Sequence, residues 1–214
     1  MFVKFFKHVL ISVFVLFSSL ALLSAQAEPV AGKDYKLVEP AQPTSSGNKI
    51  EVLEFFFYGC GHCFHLHPEL TSWERKMPKD VNLVFVPTIF RSDWEPMAYT
   101  YYALEVLGQN HNLHHDLYEA WNLKNMALTN EADISAFVAK LGVDSTKFSQ
   151  AYRSFGVQSK VTRSKQLTQT YNIRGTPTLI VDGKYLITGL QPAATIKVLD
   201  ELIAKARKER ASKR

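Results

Sequence analysis

The chain has 214 residues, 46% of them hydrophobic and 21% charged, with a formal net charge of +5 at pH 7. This is ample for a real core and suits one domain carrying an inserted subdomain. The positive excess gathers in the last stretch, AKARKERASKR, which reads as a solvated tail; no basic face interleaved with aromatics exists to hold nucleic acid.

The chain opens with MFVKFFKHVLISVFVLFSSLALLSAQA, which has the layout of a cleaved export signal. Lys4 and Lys7 make a basic start, Val9 to Leu23 is mostly apolar, and Ala25-Gln26-Ala27 offers a small-residue cleavage site. A membrane anchor wants about 20 apolar residues, and this run is shorter and holds Ser12, Ser18 and Ser19. Residues 1–27 are therefore read as a signal peptide, leaving a mature chain of charge +3 that starts at Glu28.

Residues 28–48 are rich in Pro, Gly, Ser and Thr, with one short strand at 35–38. IEVLEFFFY follows, apolar and of strand length, running straight into Gly59-Cys60. In FHLHPELTSWERKM, Phe64, Leu66, Leu70, Trp73 and Met77 recur at helical spacing. Cys60 thus falls at or just before a helix N-terminus, with Pro68 expected to kink that helix. VNLVFVP is the next strand. A helical block comes after it, in five patterned segments over 95–172, with Gly108, Gly142 and Gly156 read as helix ends and Asp144 as an N-cap. TLIVDGKYLIT reads as a hairpin turning on Asp-Gly, and Pro192 opens a last helix. The order is strand, helix, strand, helical block, strand, strand, helix.

The chemistry concentrates in YGCGHCFHLH at 58–67, which holds both cysteines and three histidines. Haem attachment requires histidine after the second cysteine, and Phe64 stands there. A zinc site would draw on Cys60, Cys63, His65 and His67, yet structural zinc usually takes ligand pairs from two separated segments. A structural disulfide closing so short a loop is worth ~2 kcal/mol, against ~4.7 for a 100-residue loop. A redox pair fits better. At a helix N-terminus Cys60 meets free N–H groups and the positive end of the helix dipole, which favour a thiolate, and His62 can add charge or a donor to the same sulfur. A stabilised thiolate stabilises the reduced form, which makes an exported disulfide one that is given away.

Glu54 interrupts the apolar VLEFFFY, and two readings stand. Either the carboxylate is buried near the cysteines, where desolvation raises its pKa and lets it exchange a proton with Cys63, or it reaches solvent at the strand end or pairs with a lysine. His65 and His67 read as ordinary surface histidines. His111, His114 and His115 read as a polar helix face, and Trp94, Tyr99, Tyr101 and Tyr102 as an aromatic seam of the helical block.

EVLEFFFYGCGHC, the helix after it, the helical block, RGTPTLIVDGKY and the closing helix together resemble the DsbA family of periplasmic thiol:disulfide oxidoreductases, in the thioredoxin superfamily. The likeness runs from Tyr35 to Lys205. It implies an α/β thioredoxin-like fold with an inserted all-helical subdomain: residues 28–92 and 166–208 form the thioredoxin unit, 93–165 the insertion and 209–214 a basic tail. It also implies that Cys60 is the exposed nucleophile, Cys63 its buried resolving partner and His62 a stabiliser of the Cys60 thiolate. Thr176 and a cis Pro177 would present backbone to the client, and Glu54 would be the family's buried acid. The cofactor set would be empty apart from the Cys60–Cys63 disulfide, with no metal. Partners would be reduced unfolded client proteins and a membrane reoxidant resembling DsbB, met in the periplasm by a monomer. A disulfide isomerase or reductase of the same fold is the alternative reading, and an exported metal-binding module a more distant one. The chain departs from the family's pattern at three places. Gly61 stands for proline, Thr176 for valine, and no lysine lies in Asn82 to Phe90 to partner Glu54. The first two border the sulfurs and imply a milder oxidant.

Overall fold

The computed structural model describes residues 28–212. The expected signal peptide at 1–27 and the last two residues of the tail lie outside that range. The stretch before those two residues is not the solvated tail its charge suggested but the end of a helix that runs to Ala211, with Ala206 buried and Arg207 and Arg210 paired with Asp80 and Asp182. A five-stranded sheet has the order β1-β5-β4-β2-β3, where β1 is Lys36–Leu37, β2 Ile50–Phe56, β3 Val81–Pro87, β4 Thr178–Val181 and β5 Tyr185–Thr188. β2 and β3 run parallel and the other pairs antiparallel. All seven residues of β2 are buried, as expected of a central strand covered on both faces.

Side chains alternate along a strand, so the two faces of β2 enter different cores. Leu53 and Phe55 pack with Val86, Tyr171, Ile173 and Ile180. Ile50 and Val52 face α1 (Gly61–Glu74) and α7 (Pro192–Ala211), meeting Leu66, Leu70, Leu199 and Leu202. Trp73 Nε1 donates to Asp200 Oδ1 at 2.7 Å and ties those two helices together. Phe56 belongs to a third core, made mostly by the helical block: α2 (Glu95–Val106), α3 (Asn110–Asn122), α4 (Glu131–Lys140), α5 (Ser145–Tyr152) and α6 (Phe155–Thr170). α6 runs from this block back to the sheet, its last turn leading into Tyr171 and Ile173 under β2.

Local chemistry accounts for most of the boundaries. Asp144 caps α5, its Oδ1 accepting from the Lys147 N–H at 2.9 Å, and Asn130 caps α4 in the same way. Such caps contribute about 1 kcal/mol each. Gly108 and Gly142 end their helices at φ +66° and +91°, a region in which glycine meets no Cβ penalty. Gly156 corrects the sequence reading. It is the second residue of α6, and the break before it is made by Ser154, whose Oγ accepts from the Val157 N–H at 3.2 Å. The hairpin turns on Asp182 and Gly183 at φ +53° and +68°, as a two-residue primed turn requires. Helix α1 runs unbroken with Pro68 inside it.

His114 is the larger correction. It does not lie on a polar face but in the core at 5% exposure, ringed by Phe56, Tyr58, Phe85 and Tyr118. A histidine ring is flat and mostly apolar, and the Tyr58 hydroxyl, 2.7 Å from its Nδ1, offsets part of the cost of burying it.

Candidate active site

The site forms where β2 ends and α1 begins. Phe57, Tyr58 and Gly59 make the connection, and Asn122 Nδ2 holds it by donating to the Tyr58 carbonyl at 2.8 Å. Gly59 has no room for a side chain, since a Cβ there would stand 2.5 Å from the Phe57 ring and 2.9 Å from Trp121. The Phe57 ring stacks on Trp94 at 3.8 Å. Cys60 follows as the N-cap of α1, in extended conformation, and its Sγ accepts from the Cys63 N–H at 3.4 Å. This is the position usually filled by serine or aspartate, with a sulfur in place of the oxygen.

The two sulfurs, both free thiols here, have different surroundings. Cys60 is half-buried, whereas Cys63 faces the core at 0% exposure. The Cys60 pKa is held down to about 5. The hydrogen bond from the Cys63 thiol is the largest cause, helped by the Thr176 side chain and by the N–H groups of Cys63 and His62, while burial opposes them. As a thiol, Cys60 also donates to the Thr176 carbonyl at 3.2 Å. That contact favours the protonated form, but the donors outweigh it because a thiolate at a helix N-terminus collects several at once. Cys63 moves the opposite way. Burial, the bond it gives to Cys60, and the charges of Cys60 and Glu54 push its pKa far above the ordinary thiol range.

Thr176 and Pro177 come from the far end of the chain. The peptide between them is cis, and it stands immediately before β4, which pairs with β2. That pairing delivers the Thr176 carbonyl to Cys60 across 116 residues of sequence. His62 is exposed, so what it brings to the sulfur is its backbone N–H, and its ring borders a groove. The groove has a volume of about 370 Å³ and passes beside Pro177, with Leu66, Ile187, Leu190 and Pro192 along it and His65 at its edge. Sequence reasoning missed these lining residues. Each reads as ordinary core or turn, and only the packing of α1, β5 and α7 leaves them facing one cleft.

Glu54 sits on the α1 face of β2 between Val52 and Phe56, at 2% exposure. Its pKa is pushed up to about 8, first by burial and then by the charges of Glu74 and Cys60. Of the two readings the sequence left open, the structure selects burial near the cysteines. Register sets Phe85 of β3 and Leu179 of β4 beside it, so neither neighbouring strand offers a cation. The residues of CGHCFHLH diverge. Cys63 points into the core, His65 borders the groove and His67 packs against His114 and His115 of α3. Among the described residues no three His, Cys, Asp or Glu side chains are grouped to hold a metal ion.

A family model described as a DSBA-like thioredoxin domain matches residues 51–199. The thiol:disulfide interchange protein DsbA of Pseudomonas syringae is 37% identical over 206 residues, covering 94% of this chain and 96% of its own length. Its counterpart in Burkholderia cepacia is 38% identical over 203 residues, covering 91% and 95%. Among solved structures, DsbA from Pseudomonas aeruginosa matches with a TM-score of 0.81 at 34% identity, over 86% of this chain and 97% of that one. The oxidoreductase DsbA from Xylella fastidiosa matches with a TM-score of 0.79 at 31% identity, over 84% and 98%.

Proposed function

The chain belongs to the DsbA family of periplasmic thiol:disulfide oxidoreductases, within the thioredoxin superfamily, and from that premise we propose that Cys60 is the sulfur a client attacks and Cys63 the one that departs. The protein is a disulfide-donating enzyme, a dithiol oxidase whose redox centre is its own cysteine pair. It acts on unfolded client proteins and is recharged by a membrane reoxidant.

The reaction follows from the unequal sulfurs. A client thiolate attacks Cys60 Sγ, the Cys60–Cys63 bond breaks, and its electron pair goes to Cys63. Glu54, which keeps its proton up to about pH 8, protonates the buried sulfur. A second client thiolate then attacks the client sulfur of the mixed disulfide, and Cys60 leaves as a stabilised thiolate. The client has lost two electrons and the enzyme has gained them. Thr176 and Pro177 align an extended client segment beside Cys60, the neighbouring groove takes client side chains, and His62 supports the thiolate through its N–H. We assign residues 28–92 and 166–208 to the catalytic unit and 93–165 to the insertion. The reoxidant is of the DsbB type, and the enzyme works as a monomer.

The observation that carries this reading is Cys60 at the N-cap of α1, half-buried, its Sγ accepting from the Cys63 N–H at 3.4 Å and standing 3.2 Å from the Thr176 carbonyl. Equilibration with defined ratios of reduced to oxidised glutathione tests it. The pair is expected to be reduced even when oxidised glutathione is abundant, and Cys63→Ser should accumulate a mixed disulfide through Cys60. A disulfide that survives in strongly reducing buffer would reverse the direction of the mechanism.

A further inference from the structure

Opening the disulfide creates a demand for a proton in the core. On the roles proposed above, Glu54 protonates Cys63 and is left as a buried carboxylate that solvent must refill. Phe85 and Leu179, its neighbours in the sheet, carry no exchangeable proton. Polar groups do approach from the helical block, gathered round Phe56, the next residue along Glu54's face of β2. The Phe56 ring centroid lies 5.1 Å from that of Tyr58, 5.1 Å from that of His114 and 6.1 Å from that of Tyr118. Tyr118 of α3 is fully buried, with its phenol pKa raised by burial and then by the charges of Glu54, Cys63, Tyr58 and Cys60. Its ring centroid lies 5.0 Å from that of Tyr58 and 5.0 Å from that of His114. Tyr58 Oη is 2.7 Å from His114 Nδ1. Tyr118 Oη and His114 Nε2 are both buried and without a protein partner among the described residues, and orphaned polar atoms on adjoining core rings call for an explanation. His114 also lines a cavity of about 530 Å³ with His67, Glu74, Tyr101 and the exposed His111 and His115.

We propose that Tyr118, Tyr58 and His114 form a hydrogen-bonded relay, bridged by water where their atoms do not touch, that returns a proton from the histidine-lined cavity to Glu54 each time the disulfide opens. A neutral imidazole has a donor on one nitrogen and an acceptor on the other, so a proton arriving at Nε2 leaves from Nδ1 toward Tyr58. The groups facing His114 are Tyr58 after β2, His67 from α1, Tyr101 from α2, and His111, His115 and Tyr118 from α3. Burial, with the charges of His67, His111 and His115, holds its pKa well below the ordinary value, so it passes a proton on without storing one. Protons balance. The client thiol releases one to solvent, and one returns through the relay to replace the proton Glu54 gave to Cys63.

The test is single-turnover reduction of the oxidised protein by dithiothreitol, followed by tryptophan fluorescence from pH 6 to 9 in water and in deuterium oxide. Tyr118→Phe removes an unpartnered hydroxyl and keeps the ring, so a purely structural role predicts an unchanged rate. The relay predicts a rate lower by roughly ten-fold, a larger solvent isotope effect, and a glutathione equilibrium equal to the parent's. In His114→Ala, added imidazole should restore the rate by entering the cavity. If that variant does not fold, Tyr118→Phe decides alone. A Tyr118→Phe protein matching the parent in rate and isotope effect overturns the relay. Failure of the oxidase reading itself would appear elsewhere, as a parent disulfide that resists reduction.

Discussion

Replacing Glu54 with glutamine in the reduced protein changes how stability depends on pH, and the size of the change follows from where the carboxyl sits. In the unfolded chain Glu54 ionises at its ordinary value of 4.5, whereas in the fold it holds its proton to about 8. Between those limits the folded state binds the extra proton, so stability falls as pH rises, by about 1.4 kcal/mol per pH unit. The penalty is absent below 4.5 and complete above 8, where it reaches about 5 kcal/mol. Glutamine does not titrate. The variant should gain about 3 kcal/mol on its parent at pH 7 and only a few tenths at pH 4, beyond any offset common to both pH values. Urea unfolding of dithiothreitol-reduced parent and variant at the two pH values gives this difference directly, since other titrating groups cancel. In the oxidised pair the gain should shrink, because the Cys60 charge that helps raise the Glu54 pKa is gone. A gain that is the same at pH 4 and pH 7 would mean the carboxylate is solvated in the fold, and the proton-donor role would fall with it.

Three further outcomes follow from the same structure. Absorbance at 240 nm should titrate in the reduced protein with a midpoint of about 5, and Cys63→Ala, which removes the largest thiolate-stabilising donor, should move it upward. Because the Cys60 pKa is lowered on folding, its contribution to the stability of the reduced form is lost as pH falls through about 5. At pH 7 it is worth about 2.7 kcal/mol before screening, and ~1–2 once solvent at the half-exposed sulfur is allowed for. The stability of the reduced protein relative to the oxidised one in urea should therefore fall as pH drops from 7 to 4, the disulfide's own contribution being common to both pH values. Gly183→Ala should destabilise by ~2–4 kcal/mol. The added Cβ would stand 2.1 Å from the Gln42 carbonyl oxygen at a φ of +68°, and a thermal melt reads the loss.

Elements governed by a few neighbouring residues were legible without coordinates. Cys60 at the helix N-terminus, the Asp182-Gly183 hairpin, the Asp144 cap and Pro192 at the start of the last helix each depend on backbone preferences within one turn. The sequence also located both reactive sulfurs, because a cysteine pair spaced for one helical turn needs no distant information. Tertiary structure decided what burial and charge do to those groups. Whether Glu54 meets solvent depended on β3, β4 and α1 closing over β2. The fate of His114 depended on Phe56, Tyr58 and Phe85 accepting a ring whose spacing alone suggested a wet helix face. Thr176 reaches Cys60 only because β4 pairs with β2 from more than a hundred residues away. Backbone propensity acts over one turn of chain, whereas desolvation is set by whichever segments arrive to exclude water, and those come from anywhere in the sequence.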